Sequence, residues 1–169
     1  AADLGSLGIK TFFCSNVCAA YRRDIYDELG GFVRRAIFNE DMIYAAAAVR
    51  AGYGIAYEAQ AQVVHSHNYT NLQQLRRNFD LGVSQAEHPE VFAVVASESE
   101  GKRLVQETWR HFKEKRLLHR FPAFCLQCAF KYAGYLLGKH YEMLPRSLVH
   151  RITLNREYWR DDSQIKTKK

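Results

Sequence analysis

The sequence predicts an α/β fold that is largely helical, and three observations predict it. Apolar residues make up 47% and charged residues 25% of the 169, enough to fill the core of one ordinary domain and too apolar for a disordered chain. Residues 1–70 alternate short apolar runs with amphipathic segments and glycine punctuation, the pattern of a mixed α/β part. From Asn71 onward the apolar spacing turns helical, with Pro and Gly as the main interruptions. Residues 71–160 therefore read as an all-helical part and residues 161–169 as a disordered basic tail.

In chain order, residues 1–10 read as a loop and residues 11–17, TFFCSNV, as a short buried strand. Residues 21–29 form an amphipathic helix that ends at Gly30-Gly31. Residues 32–38 are a loop carrying Arg34 and Arg35. Asn39 is a good N-cap for the next helix, which places Glu40 and Asp41 in the first turn and runs through four alanines, 45–48, to Gly52. Residues 54–58 and 62–66 read as two short strands, the second marked as buried by Val63 and Val64. Asn71–Glu87 is a helix broken by His88-Pro89. Residues 90–118 are one long helix or two, with Gly101 as the joint between them. Residues 122–138 form an aromatic helix and residues 145–159 a last basic one.

Charge is distributed unevenly. Residues 1–100 hold 8 Lys and Arg against 12 Asp and Glu, and residues 101–169 hold 16 against 6. A net of −4 followed by +10 points to a basic, partner-facing tail for nucleic acid or an anionic membrane surface; solvated helix faces are the alternative. No run of about 20 uncharged apolar residues exists, so no membrane-spanning segment is expected. The absence of an initial Met and of a signal-peptide pattern suits a cytosolic protein or a piece of a longer one. Cys14, Cys18, Cys125 and Cys128 have spacings that zinc can use, but their flanks (Phe12, Phe13, Phe124, Leu126) read as core. Buried reduced thiols are expected.

Residues 38–68 carry the chemistry. A carboxylate in a helix first turn is held where backbone N–H groups and the helix dipole favour negative charge, and it can act as a general base toward a hydroxyl. A histidine at a strand end can bind a metal through a neutral ring nitrogen. Glu40-Asp41 at one end of the stretch, with His65 and His67 at the other, suggest a metal-assisted transfer to an alcohol. A favourable helix start and surface histidines are the plainer reading of the same residues.

Residues 15–32, SNVCAAYRRDIYDELGGF, followed by residues 38–67, FNEDMIYAAAAVRAGYGIAYEAQAQVVHSH, resemble the acceptor half of an inverting family-2 glycosyltransferase with the GT-A fold. Residues 131–159, KYAGYLLGKHYEMLPRSLVHRITLNREYW, resemble the C-terminal helices of bacterial rhamnosyltransferases. The resemblance implies the C-terminal half of a GT-A fold, with residues 1–70 as its acceptor side, followed by a helical tail. It implies Asp41 as the base that takes the acceptor hydroxyl's proton, and Glu40 as its companion orienting the acceptor or the helix start. Ser15, Asn16 and Arg22 would be substrate-binding residues. His65 or His67 would be the ligand of a divalent cation, Mn or Mg. The donor would be dTDP-rhamnose and the acceptor a glycan or lipid-linked glycan of a bacterial surface polysaccharide, at the cytoplasmic side of the inner membrane. The family's nucleotide-binding half and its Asp-x-Asp motif do not occur in these residues, so the resemblance also implies a chain that is catalytically incomplete. The rival is a non-catalytic basic helical module that binds nucleic acid or a protein partner. No helix-turn-helix, zinc-finger or ribonucleoprotein motif supports nucleic acid, which is not expected as a partner.

Overall fold

A computed structural model describes residues 7–93 and 98–160, with backbone alone at 98–100 and 102. Its helices are α1 (Arg23–Glu28), α2 (Glu40–Arg50), α3 (Asn71–Glu87), α4 (Pro89–Phe92), α5 (Glu98–Glu114), α6 (Phe121–Lys139), α7 (Arg146–Ile152) and α8 (Arg156–Arg160). Short 3-10 turns lie at Gly8–Phe12, Leu118–Arg120 and Tyr141–Met143. The largely helical character is borne out. The strands that an α/β class requires are not formed among the described residues.

Each missing strand has a structural reason. Of the run at residues 11–17 only Phe12 is buried, while Phe13 is 63% exposed, so the chain turns from a 3-10 turn into a bend at Asn16-Val17. Residues 54–58 and 62–66 run without regular structure. A strand needs a neighbour for its N–H and C=O groups, and no described residue supplies one. Val63 and Val64, expected in the core, are 53% and 105% exposed.

The helix starts and stops follow local chemistry. α1 ends at Gly30 and Gly31, both at positive φ, where Gly31 N–H donates to the Tyr26 carbonyl at 2.8 Å. A Cβ on Gly31 would lie 2.7 Å from the Tyr26 ring, so glycine serves both the turn and the packing. α2 closes in the same manner at Gly52, with Tyr53 N–H on the Ala48 carbonyl at 3.0 Å. Thr70 and Gln73 cap α3 reciprocally, Thr70 Oγ1 accepting from Gln73 N–H and Gln73 Oε1 from Thr70 N–H.

Two clusters make the core. Phe12, Ala46 and Val49 pack with Val91 and Phe92. Ile37 packs with Phe79, Val83 and Val149, flanked by Tyr158 and Trp159. Both draw on residues from either side of position 70. The closest helix pair is α3 with α6. A Cβ on Gly134 would overlap the Leu75 carbonyl, one on Gly138 the Phe79 carbonyl, and one on Gly82 would sit 2.9 Å from Lys139 N. Those glycines let the two backbones touch, and Phe79 and Val83 reach full burial beside the contact.

Further expectations are corrected. The segment at 90–118 is divided: α4 stops at Phe92, α5 starts at Glu98, and residues 94–97 lie outside the described residues. Gly101 lies inside α5, not at a joint. The last basic helix is two, α7 and α8, because buried Asp80 captures the chain between them. Its Oδ1 accepts from Thr153 Oγ1 at 2.6 Å, and its Oδ2 accepts the Leu154 and Asn155 N–H groups at 3.0 and 3.3 Å. None of the four cysteines is buried: Cys18 and Cys125 are exposed and Cys14 and Cys128 half-buried, all as free thiols. No group of three or more His, Cys, Asp or Glu side chains able to hold a metal forms among the described residues. No described helix is long and apolar enough to cross a membrane. The expected disordered tail, 161–169, and residues 1–6 of the first loop lie outside the described residues.

Candidate active site

The site is built at the N-terminus of α2. Asn39 holds the cap position, but its side chain does not cap the helix. It sits at φ 62°, in the left-handed region that Asn tolerates better than most residues, and is buried. Its Nδ2 donates to Ser84 Oγ on α3 at 3.2 Å, and Ser84 Oγ donates to the Phe38 carbonyl at 2.6 Å. Arg77 lies over the Phe38 ring at 4.6 Å. The turn that presents Glu40 and Asp41 is thereby clamped to α3, whose own position is set by the α6 contact.

Asn16 meets that helix start from the other side. Its backbone N–H donates to Asp41 Oδ2 at 3.1 Å, and its Nδ2 donates to Glu40 Oε1 at 2.9 Å. Asp41 Oδ1 also accepts from Met42 N–H at 2.8 Å. Each Asp41 oxygen thus takes one backbone N–H bond and keeps a lone pair for a further partner. Both acids are half-buried, and Asn16 is exposed at the mouth.

Tyr21 orients Asn16. Its hydroxyl donates to Asn16 Oδ1 at 2.6 Å and lies 3.3 Å from Cys14 Sγ. A phenol has one proton to give, and since it goes to Asn16, the Cys14 thiol is the donor in the other contact. Burial, then the Cys14 bond and the nearby Asp41 and Glu40 charges, push the Tyr21 phenol far above its ordinary range, so it stays protonated. Its ring stands edge-on to Phe32 and Tyr44, each at 5.4 Å, and Tyr26 completes a four-ring nest. Tyr44 belongs to α2, so the nest ties Tyr21 to the acid pair's own helix. An open recess of about 310 Å³, lined by Tyr21, Arg23, Tyr26 and Asp27, adjoins it.

Of the residues expected from sequence, Asn16, Glu40 and Asp41 come together. Ser15 is adjacent in the chain, but its hydroxyl accepts from Val17 N–H at 3.4 Å within the local bend. Arg22 pairs with Asp24 through Nε at 3.1 Å and is largely exposed, so it does not join the acids. His65 and His67 lie side by side, ring centres 4.4 Å apart, with His67 stacked on Tyr69 at 4.9 Å. Both are exposed and offer two imidazoles with no carboxylate between them. The described residues do not complete a metal centre. Tyr21 and its aromatic nest were not singled out from sequence. The signal was Tyr21 five residues after Asn16, but a tyrosine before two arginines reads as an ordinary helix start.

The arrangement is a carboxylate pair at a helix N-terminus, open on one side and steadied by an amide, as a site for activating a hydroxyl requires. Two sequence relatives are named as glycosyltransferases. The chain is 42% identical over 158 residues to the O-antigen chain rhamnosyltransferase WbaN of Salmonella anatum, covering 93% of this chain and 50% of that protein. It is 42% identical over 159 residues to the O-antigen chain rhamnosyltransferase RfbN of Salmonella typhimurium strain LT2, covering 94% of this chain and 50% of the relative. The chain is therefore homologous to about half of an O-antigen chain rhamnosyltransferase, and spans about half the length of the curated relatives it matches. No family model matches it, and no solved structure matches it.

Proposed function

We propose that this chain is the acceptor-side part of an inverting rhamnosyltransferase of bacterial O-antigen synthesis. The observation that carries the reading is the convergence of Asn16, Glu40 and Asp41 at the α2 N-terminus, in a chain whose relatives are named for this activity. In this reading the acceptor sugar's hydroxyl donates to Asp41, which takes the proton as the oxygen attacks the anomeric carbon of rhamnose. The bond from that carbon to the dTDP diphosphate breaks on the opposite face, so the configuration inverts and dTDP leaves. Glu40, held by Asn16, fixes the approach of the acceptor, and the Tyr21–Tyr26 recess forms the wall beside it. The acceptor is a glycan or lipid-linked glycan at the cytoplasmic face. A GT-A fold and a divalent cation, Mn or Mg, on His65 or His67 belong to the same proposal. The cation's remaining ligands would come from beyond the described residues. Its test is metal-dependent activity that His65→Ala or His67→Ala weakens.

The proposal is checked by offering the full-length protein a panel of nucleotide sugars with a lipid-linked acceptor. Transfer of rhamnose from dTDP-rhamnose, with the anomeric configuration inverted by NMR, is expected. Transfer of another sugar, or retained configuration, contradicts it.

A further inference from the structure

A projecting corner of the molecule, residues 101–133, contains no buried residue among those described. α3 and α6 run parallel, with Leu75 against Gly134 and Phe79 against Gly138. Residues 121–129 of α6 therefore extend beyond the start of α3 at Asn71, by about 13 Å at the helical rise. α5 and the Leu118–Arg120 turn sit on this overhang. α5 is strongly amphipathic and spreads Leu104, Val105, Trp109 and Phe112 over an arc of about 140°. The C-terminal end of that stripe meets α6: Trp109 and Phe112 lie 4.7 and 6.4 Å from the Phe121 ring, and Phe112 lies 6.2 Å from Phe124. Leu104, Trp109, Leu118 and Leu126 remain 54, 46, 41 and 52% exposed.

From residue 110 to 120, beside these apolar residues, the charge is predominantly positive. Residues 110–120 hold Arg110, Lys113, Lys115, Arg116 and Arg120 against Glu114 alone, a net of +4 with histidine neutral. None of the five cations makes an ion pair among the described residues.

We propose that this corner docks on an anionic phospholipid bilayer. Trp109, Leu118 and their aliphatic neighbours enter the boundary between headgroups and acyl chains, while the five cations meet lipid phosphates. Charge complementarity selects this occupant. Nucleic acid would satisfy the cations but leave the leucines facing water, and a second copy would bring an equal positive charge against them. The acidic balance of residues 1–100 turns that part of the chain away from an anionic surface. The corner is separate from the Asn16–Asp41 site, and its test reads binding, not turnover.

These 169 residues hold two tryptophans, so this chain carrying Trp159→Phe leaves Trp109 as its reporter. It is mixed with vesicles of phosphatidylglycerol and phosphatidylethanolamine, with and without brominated acyl chains, and with phosphatidylcholine alone. The expected result is binding to the phosphatidylglycerol vesicles with blue-shifted, bromine-quenched Trp109 emission, weakened by salt. Lys113→Gln with Arg120→Gln is expected to lower partitioning roughly tenfold or more. Leu118→Ser with Leu126→Ser abolishes the quenching while circular dichroism stays unchanged. Absence of binding to phosphatidylglycerol vesicles overturns the proposal, as does binding without Trp109 quenching, or binding that a DNA duplex displaces.

Discussion

At the scale of single residues, two polar side chains decide local geometry and each supports a prediction. Among the described residues, Asn16 hydrogen-bonds both acids, through its backbone N–H to Asp41 and its amide to Glu40. Asn16→Ala keeps the first bond and loses the second. Because the bonds are exposed, stability should change by no more than ~1 kcal/mol, whereas a slackened Glu40 should lower kcat roughly ten- to hundredfold. Thermal unfolding and steady-state kinetics on the full-length enzyme separate these two effects. Asp80 works differently. Burial pushes its carboxyl above the ordinary aspartate range, with the bonds from Thr153, Leu154 and Asn155 pulling the other way. A raised folded-state value means that its contribution to stability is full below the ordinary range, about 3.9, and is lost as pH rises through the raised value. Asp80→Asn should remove that dependence. The Tm of the variant minus that of the wild type should therefore rise as pH climbs from below the ordinary aspartate range to above the raised one. A difference that stays flat, or falls, contradicts the assignment.

At the scale of elements, the glycines of α6 and α5 predict opposite signs for the same substitution. Alanine is the better helix former by about 1 kcal/mol. At Gly138 the added methyl would press on the Phe79 backbone, which cannot move aside cheaply, and overpacking of that kind costs about 1–3 kcal/mol or more. Gly138→Ala should therefore lower Tm, whereas Gly101→Ala on α5, with nothing within 4 Å of its Cβ, should raise stability by roughly 0.5–1 kcal/mol. Denaturant unfolding of the two variants checks both signs. The helices were legible in the sequence because their signals are local: Gly52 after the alanines, Thr70 with Gln73, His88-Pro89, and the aromatic run of α6. The acid pair was legible for the same reason, as two carboxylates after an Asn. What was not legible depends on distant partners. The break between α7 and α8 is made by Asp80, over 70 residues away. Asn39 was recognisable as the cap position, but its bond to Ser84 was not. Val63 and Val64 have the composition of a buried strand, yet burial requires a neighbour that no local pattern reports.

At the scale of the whole molecule, the site depends on both halves of the chain. Ser84 of α3 holds Phe38 and Asn39 in place, and α3 is itself seated by α6 through Gly82, Gly134 and Gly138. The acid pair is thus presented by a frame that extends to the C-terminal helices, where Ile37 packs against Val149 and Arg35 reaches the Tyr158 carbonyl at 3.1 Å. Sequence similarity extends over about 93% of the chain. The central claim is that Asp41 takes the proton from the acceptor hydroxyl. It is tested most directly by comparing Asp41→Asn with the wild type in the full-length enzyme, measuring rhamnosyl transfer and nucleotide-sugar binding on the same preparations. Loss of turnover by about a hundredfold or more, with donor binding and Tm retained, is the predicted result. Turnover within a few-fold of wild type, at unchanged donor affinity, would contradict the account.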